Sequence, residues 1–413
     1  MRVFDEDLSA GKGYSEGTHR VVSPTETLDW LMPIARRIGV TRVGNVTGLD
    51  SIGIPVWVSI RPNARGLSAS QGKGLTDLAA QASAVMESVE NWHAETIDAP
   101  VRIASFEAMQ RDAAVLSPYE LSYFQDTPPR ADLAIAWMEG YDLIAAESCW
   151  VPLECVSTDY VVRADLSLRP TFVQSSNGLA GGNHLLEAIE HGLSELIERH
   201  AISCDAEAIR AFDPALRVDQ ATVDHPACRT VLDALDAAGM ATAIFELPSG
   251  LGVPVYACSI MERDGTARLR VLPPFNGYGC HLDNGIALLR ALTEAVQSRV
   301  TYITGSRDDI SYAEYQRSGG PDERSSYLSL FAGEAFRTFE HERGDHDSFE
   351  RDISALLDRL RGYGIEHAVV VDLRRESIGV PVAKMVVPGL DAPETLIRGR
   401  PVQSLAANRR RTA

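Results

Sequence analysis

Glu87 and Glu90, Glu195 and Glu198, and Glu294 with Gln297 stand three residues apart in three separate segments of the chain. On an α-helix that spacing puts both members of a pair on one face. Ser83, Glu87 and Glu90 fall at i, i+4 and i+7, and His191, Glu195 and Glu198 repeat the stripe with Glu187 one turn earlier. The neighbouring positions are apolar (Ala79, Ala82, Val85, Met86 and Val89; Leu193, Leu196 and Ile197), so both stripes are expected to be partly buried. Neither stripe contains a compensating lysine or arginine. Buried carboxylates are costly unless a metal or an arginine supplies the charge. Magnesium takes one or two carboxylates and leaves positions for nucleotide phosphates, so the residues point to a metal and nucleotide site.

The pairs belong to an imperfect internal repeat. GKGLTDLAAQASAVMESVENWHA from residue 72 aligns with AGGNHLLEAIEHGLSELIERHA from residue 180, matching Gly74 to Gly182, Ala80 to Ala188, Glu87 to Glu195 and Glu90 to Glu198. NGIALLRALTEAVQSR from residue 284 supplies the third helix. The glycine-rich lead-ins, Gly72-Lys73-Gly74 and Gly178 through Gly182, would let backbone amides approach phosphate oxygens, with Lys73 as a point charge. There is no G-x-x-x-x-G-K-[ST] loop. A single acidic pair on a helix is usually a solvated face, and glycines before helices are usually turns. Three copies on otherwise apolar helices favour the site.

Helical spacing is expected over 23–38, 75–95, 184–206, 229–238, 284–303 and 347–362. Alternating or β-branched runs predict strands over 54–61 and near 134–138, 149–157, 242–247, 253–261, 268–273, 366–373 and 380–387. The order predicts a mixed α/β (α+β) architecture with sheets covered by helices. Residues 317–326 read as an exposed loop and the final RRRTA as a solvated tail.

The chain has 413 residues, 45% of them hydrophobic, which is enough for a large core. A formal net charge of -18 argues against nucleic-acid or anionic-membrane partners. No apolar run is long enough for a membrane span and the start lacks a signal-peptide core, so the cytoplasm is the expected compartment. Cys149, Cys155, Cys204, Cys228, Cys258 and Cys280 have no zinc-site spacing and are read as reduced and mostly buried. Lysine occurs only at Lys12, Lys73 and Lys384.

The segments around these residues resemble the YcaO family. GKGLTDLAAQASAVMESVENWHAE is similar to its first signature, G-K-G followed by S-A-x-x-E-x-x-E. SSNGLAGGNHLLEAIEHGLSELIERHA is similar to the second, ALTEAVQSR with TGSRDD to the third, and PVAKMVVPGL to the closing strand. The agreement implies a YcaO domain over 66–413, with a helix/strand region over 1–65 packed on it. The resemblance implies ATP and magnesium as cofactors, with Glu87, Glu90, Glu195, Glu198 and Glu294 as metal ligands. It implies nucleotide contacts from Lys73, Ser83, Asn177, Glu187, Arg199, Gln297 and Arg299, and no catalytic nucleophile. Asn91 departs from the arginine common in the first signature.

Members of the family use ATP to phosphorylate the oxygen of a backbone amide after a nucleophile adds to its carbon. A substrate Cys, Ser or Thr side chain gives an azoline, and external sulfide gives a thioamide. The beginning, GKGYSEGTHRVVSPTETL, is similar to YcaO proteins that work beside a TfuA-like partner, a pairing associated with thioamides, and the end ANRRRTA lacks the proline-rich tail of azoline-forming relatives. Thioamidation of a peptide or protein is therefore the expected activity, in a homodimer. The alternatives are an azoline-forming cyclodehydratase and a non-catalytic accessory or peptide-binding scaffold, for example in ribosomal-protein methylthiolation.

Overall fold

In the computed structural model, which describes residues 1–161, 169–263, 272–307, 309–310, 321–390, 396–397 and 400–403, a capping box starts the first long helix. Ser23 accepts from the Glu26 amide while the Glu26 carboxylate accepts from the Ser23 amide, and Pro24 occupies the first turn. This helix, α1 (Pro24–Arg37), follows a small hairpin of β1 (Arg2–Val3) and β2 (Glu6–Asp7). Strands β3 (Arg42–Asn45), β4 (Val56–Ile60) and β5 (Ala69–Lys73) form a sheet in that order and lead into α2 (Asp77–Glu95). The expected domain boundary at 65/66 thus falls inside the hairpin of one sheet.

Next come β6 (Val101–Ser105), α3 (Phe106–Asp112), β7 (Tyr123–Phe124), β8 (Ala134–Asp142) and β9 (Glu147–Pro152). β10 (Leu179–Gly181) leads into α4 (Leu185–Ala211). After β11 (Arg217–Val218), α5 (Pro226–Ala237), β12 (Met240–Glu246) and β13 (Val255–Glu262), strand β14 (Phe275–Cys280) leads into α6 (Asn284–Thr304). The chain continues through α7 (Pro321–Phe331), α8 (Phe349–Gly362), β15 (Val369–Asp372) and β16 (Val382–Val386) to β17 (Leu396–Ile397) and β18 (Arg400–Gln403).

A larger sheet has the order β10-β16-β15-β8-β6, with β9 also paired to β8. A four-stranded sheet has the order β11-β12-β13-β14, and β17-β18-β7 form a small three-stranded sheet. α1 and α2 share a core with the larger sheet through Leu31, Val85, Val89 and Val371. α5 and α6 cover the four-stranded sheet through Val231, Ile260, Leu292 and Val296. α4 and α8 close the space between the sheets through Ile189, Leu193, Ile353 and Leu356.

The three repeat units are therefore strand-to-helix units: β5 to α2, β10 to α4 and β14 to α6. Their glycines permit close packing. A Cβ on Gly72 would lie 2.1 Å from the Ala84 nitrogen, and one on Gly277 would lie 2.1 Å from the Ala295 nitrogen. A Cβ on Gly192 of α4 would lie 2.9 Å from the Gly178 carbonyl oxygen.

The expected helices all form. The exposed-loop expectation is corrected over 321–326, which belong to α7: Pro at the first helical position, followed by Asp and Glu, favours a helix start. Residues 317–320 and the RRRTA tail lie outside the described residues, as do 268–271 of one expected strand; the strand found nearby is β14. Among the described residues no helix is long and apolar enough to cross a membrane. None of the six cysteines is in a disulfide, and Cys149, Cys228, Cys258 and Cys280 are buried.

Candidate functional site

Each strand-to-helix unit anchors its first glutamate in the same way. Gln71 in β5 donates its N–H to Glu87 at 3.0 Å, Gly178 just before β10 donates to Glu195 at 2.9 Å, and Tyr278 in β14 donates to Glu294 at 3.3 Å. β10 also lies against α2, where the Gly181 N–H donates to Glu90 at 2.6 Å. Close approach of strand and helix thus holds each carboxylate by a main-chain amide. The phosphate-cradle expectation for these glycines is corrected, since the Gly178 and Gly181 amides are occupied by glutamates. The Gly74 and Gly182 amides donate to the carbonyls of Pro55 and Pro381.

The carboxylates influence one another across the three helices. Burial pushes the Glu87 carboxyl up to about 7, with Glu195 adding to the effect. Burial, then Glu87 and Glu195, push Glu90 up to about 8. Burial and the neighbouring Glu294 push Glu198 up to about 7. Burial also acts on Glu294, but Lys73 and Arg199 outweigh it and hold that carboxyl below its ordinary value.

The expectation of stripes without cations is also corrected. Lys73 Nζ lies 2.6 Å from Glu294, and Arg199 lies 3.5 Å from Glu195 and 3.7 Å from Glu198. Lys73 arrives from β5, so its charge reaches α6 only through the tertiary fold.

These residues fit a magnesium-nucleotide complex. The donors are hard carboxylate oxygens, and an added divalent cation is what would let Glu87, Glu90 and Glu198 ionise together near neutrality. Arg199 Nε and Gln71 Nε2 are buried without a hydrogen-bond partner among the described residues. No three acidic, histidine or cysteine side chains converge on one point among the described residues. Magnesium needs only one or two carboxylates when phosphates and water complete its shell.

The other sequence-derived residues are placed unequally. Ser83 is exposed on α2 one turn before Glu87. Gln297 Nε2 donates to the Gln71 carbonyl at 3.0 Å, beside the Glu87 anchor. Asn177 is half-buried in the loop before β10, where its carbonyl accepts from Lys384 Nζ at 2.7 Å and that of Ser175 accepts from the same group at 2.6 Å. Burial lowers the Lys384 ammonium to about 8. Lys384 therefore sets the loop whose next amide, Gly178, holds Glu195.

Glu187 is buried and accepts from the Val21 N–H at 3.0 Å, with Arg20 Nε 3.3 Å away, so it pins the N-terminal arm beside α4. Lys12 does not join the cluster: it lies 3.0 Å from Asp345 and 2.6 Å from Asp352. Arg299 is buried with Glu262 at 2.6 Å and Asp50 at 3.6 Å.

Sequence reading overlooked Arg290. It lies on α6 one turn before Glu294, and its charge acts on Glu198, Glu294 and His191. Extending the E-x-x-Q pattern back by one turn would have revealed it.

A protein-family model described as YcaO cyclodehydratase, ATP- and Mg2+-binding, matches residues 71–391. An uncharacterized protein in the tfuA 3' region of Rhizobium leguminosarum bv. trifolii is 35% identical over 382 residues, covering 92% of this chain and 90% of the relative. The structure of YcaO from Methanopyrus kandleri bound with AMPPCP and Mg2+ superposes with a TM-score of 0.69 at 23% identity, covering 92% of this chain and 95% of that one. A heterocyclase in complex with substrate and cofactor gives a TM-score of 0.75 at 21% identity over 94% of this chain. The present chain spans only 54% of that heterocyclase.

Proposed function

The chain belongs to the YcaO family, and from that premise we propose that it is of the TfuA-associated type and activates backbone amides of a peptide or protein for thioamide formation. ATP and Mg2+ are its cofactors. The observation that carries the reading is the cluster of glutamates from α2, α4 and α6, in which Glu87, Glu90, Glu195 and Glu294 are anchored by main-chain amides and which together outnumber the cations beside them.

In this reading Glu87, Glu90, Glu195, Glu198 and Glu294 hold magnesium, which offsets charge on the phosphate chain when bound. Lys73, Arg199 and Arg290 surround the same space and favour an anionic ligand. Ser83, Asn177 and Gln297 border it as polar contacts. Glu187 fixes the N-terminal arm, and Arg299 serves the packing of α6 against Glu262 and Asp50. Hydrosulfide adds to the amide carbon, the resulting oxyanion takes the γ-phosphoryl group of ATP with release of ADP, and phosphate leaves with that oxygen as the sulfur loses its proton, so that C=O becomes C=S. The chain supplies position and electrostatics and needs no covalent nucleophile of its own.

The similarity to a tfuA-region protein supports a TfuA-like partner as the source or carrier of sulfur. We place the reaction in the cytoplasm, in a homodimer. The test combines purified protein, ATP, Mg2+, a candidate peptide, sulfide and a TfuA-like partner, followed by mass spectrometry. Exchange of one oxygen for sulfur per modified amide supports thioamidation. Loss of one water with no sulfur gained replaces it with azoline formation. Absence of ATP turnover under all these conditions leaves a scaffold role.

A further inference from the structure

Arg290 differs from the other cations of the cluster. Lys73, Arg199 and Arg20 each lie within ion-pair distance of a glutamate. Arg290 is half-buried and makes no ion pair among the described residues; its Nη1 meets Nδ1 of His191 at 3.1 Å. A guanidinium can only donate, so Nδ1 of His191 carries a lone pair and the ring proton sits on Nε2. Burial, and then Arg290 itself, hold the imidazole well below its ordinary value, which keeps this neutral form in place. His191 lies on α4 between Glu187 and Glu195, so the contact ties α4 to α6 across the acidic cluster.

The nature of the acceptor matters. A carboxylate beside Arg290 would consume its charge in an ion pair, whereas a neutral imidazole fixes the direction of the guanidinium and leaves its charge available. We infer that His191 is a positioning residue, whose neutral Nδ1 aims Arg290 so that its remaining N–H groups face the phosphate chain of the nucleotide. The inference rests on the nucleotide reading above and adds to it a residue that acts only through Arg290.

The test is calorimetric binding of ATP and of adenosine, with Mg2+, to wild type, His191→Asn, His191→Gln, Arg290→Ala and the His191→Gln/Arg290→Ala pair. Asparagine can place an oxygen where Nδ1 stood; glutamine puts its amide nearer the Nε2 position and loses the acceptor. Losing a hydrogen bond to a charged group is expected to weaken ATP binding about tenfold in His191→Gln, with adenosine binding unchanged. His191→Asn is expected to recover most of that loss, and the glutamine substitution should add nothing once Arg290 is alanine. Unchanged ATP affinity in His191→Gln, equal losses for ATP and adenosine, or a full effect without Arg290 would overturn the inference. Selective 15N-histidine labelling of the wild type reads the tautomer without any variant, and a protonated Nδ1 would also overturn it. Wild type that binds no ATP removes the nucleotide reading itself, a result distinct from failure of the His191 inference.

Discussion

Replacing Glu87 by glutamine is expected to stabilise the metal-free protein while it weakens the gain from Mg2+ and ATP. Burial is the main reason that this carboxyl is pushed up to about 7 from 4.5, against the lowering effect of the Gln71 N–H, Arg307 and Lys73. At ~1.4 kcal/mol for each tenfold change in proton affinity, the ionised side chain costs the folded chain at most roughly 3 kcal/mol. Residual solvent around this half-buried group brings the expected figure to roughly 1–3 kcal/mol. The sign follows from proton linkage. Between pH 4.5 and about 7 the folded chain keeps a proton that the unfolded chain releases, so stability falls as pH rises through that window. Below it both states are protonated, and above it both are ionised and the penalty is constant. Glutamine removes the penalty and can still accept the Gln71 N–H. Thermal unfolding in chelator should therefore show the variant a few degrees more stable near pH ~8 and nearly equal to wild type near pH ~4.5. Mg2+ with ATP at about 100 times its dissociation constant should stabilise wild type by about 2.7 kcal/mol and the variant by less. A variant less stable than wild type in chelator near pH ~8, or equally shifted at both pH values, would refute the reasoning.

Gly277→Ala is expected to cost about 3 kcal/mol or more in urea unfolding and to raise the KM for ATP, because the new Cβ would displace the α6 backbone that carries Glu294. Lys12→Met should cost about 3–5 kcal/mol, since it leaves the side chains of Asp345 and Asp352 buried without their ammonium partner. His93 is buried and its imidazole is lowered to about 4, mainly by burial. Unfolded chains gain that proton near pH 6.5, so folded stability is lost as pH falls from 6.5 towards about 4. Urea unfolding of His93→Leu should show up to about 3 kcal/mol less loss across that interval.

Helical periodicity made the carboxylate pairs legible because Glu87 and Glu90, like Glu195 and Glu198, share a helix face with local spacing. β5 and β14 were missed because ASQGK and FNGYGC are poor strand sequences by propensity. Their glycines answer to helix contact, a tertiary demand that local pattern does not express. The same holds for charge: Lys73 reaches Glu294 from a strand 221 positions away in sequence. Lys384 shapes the loop before β10 from β16, and Arg290 reaches His191 across two helices. Residue type marked the lysines as unusual, but only the fold assigned their partners.

The most direct test of the central claim is equilibrium binding of ATP to wild type and Glu198→Gln, each titrated with Mg2+ and again with chelator. Wild type is expected to bind ATP in a manner that depends on Mg2+, and the variant to lose that dependence with its fold intact by circular dichroism. Mg2+-dependent binding of equal strength in both proteins would contradict the assignment of the glutamate cluster as the site.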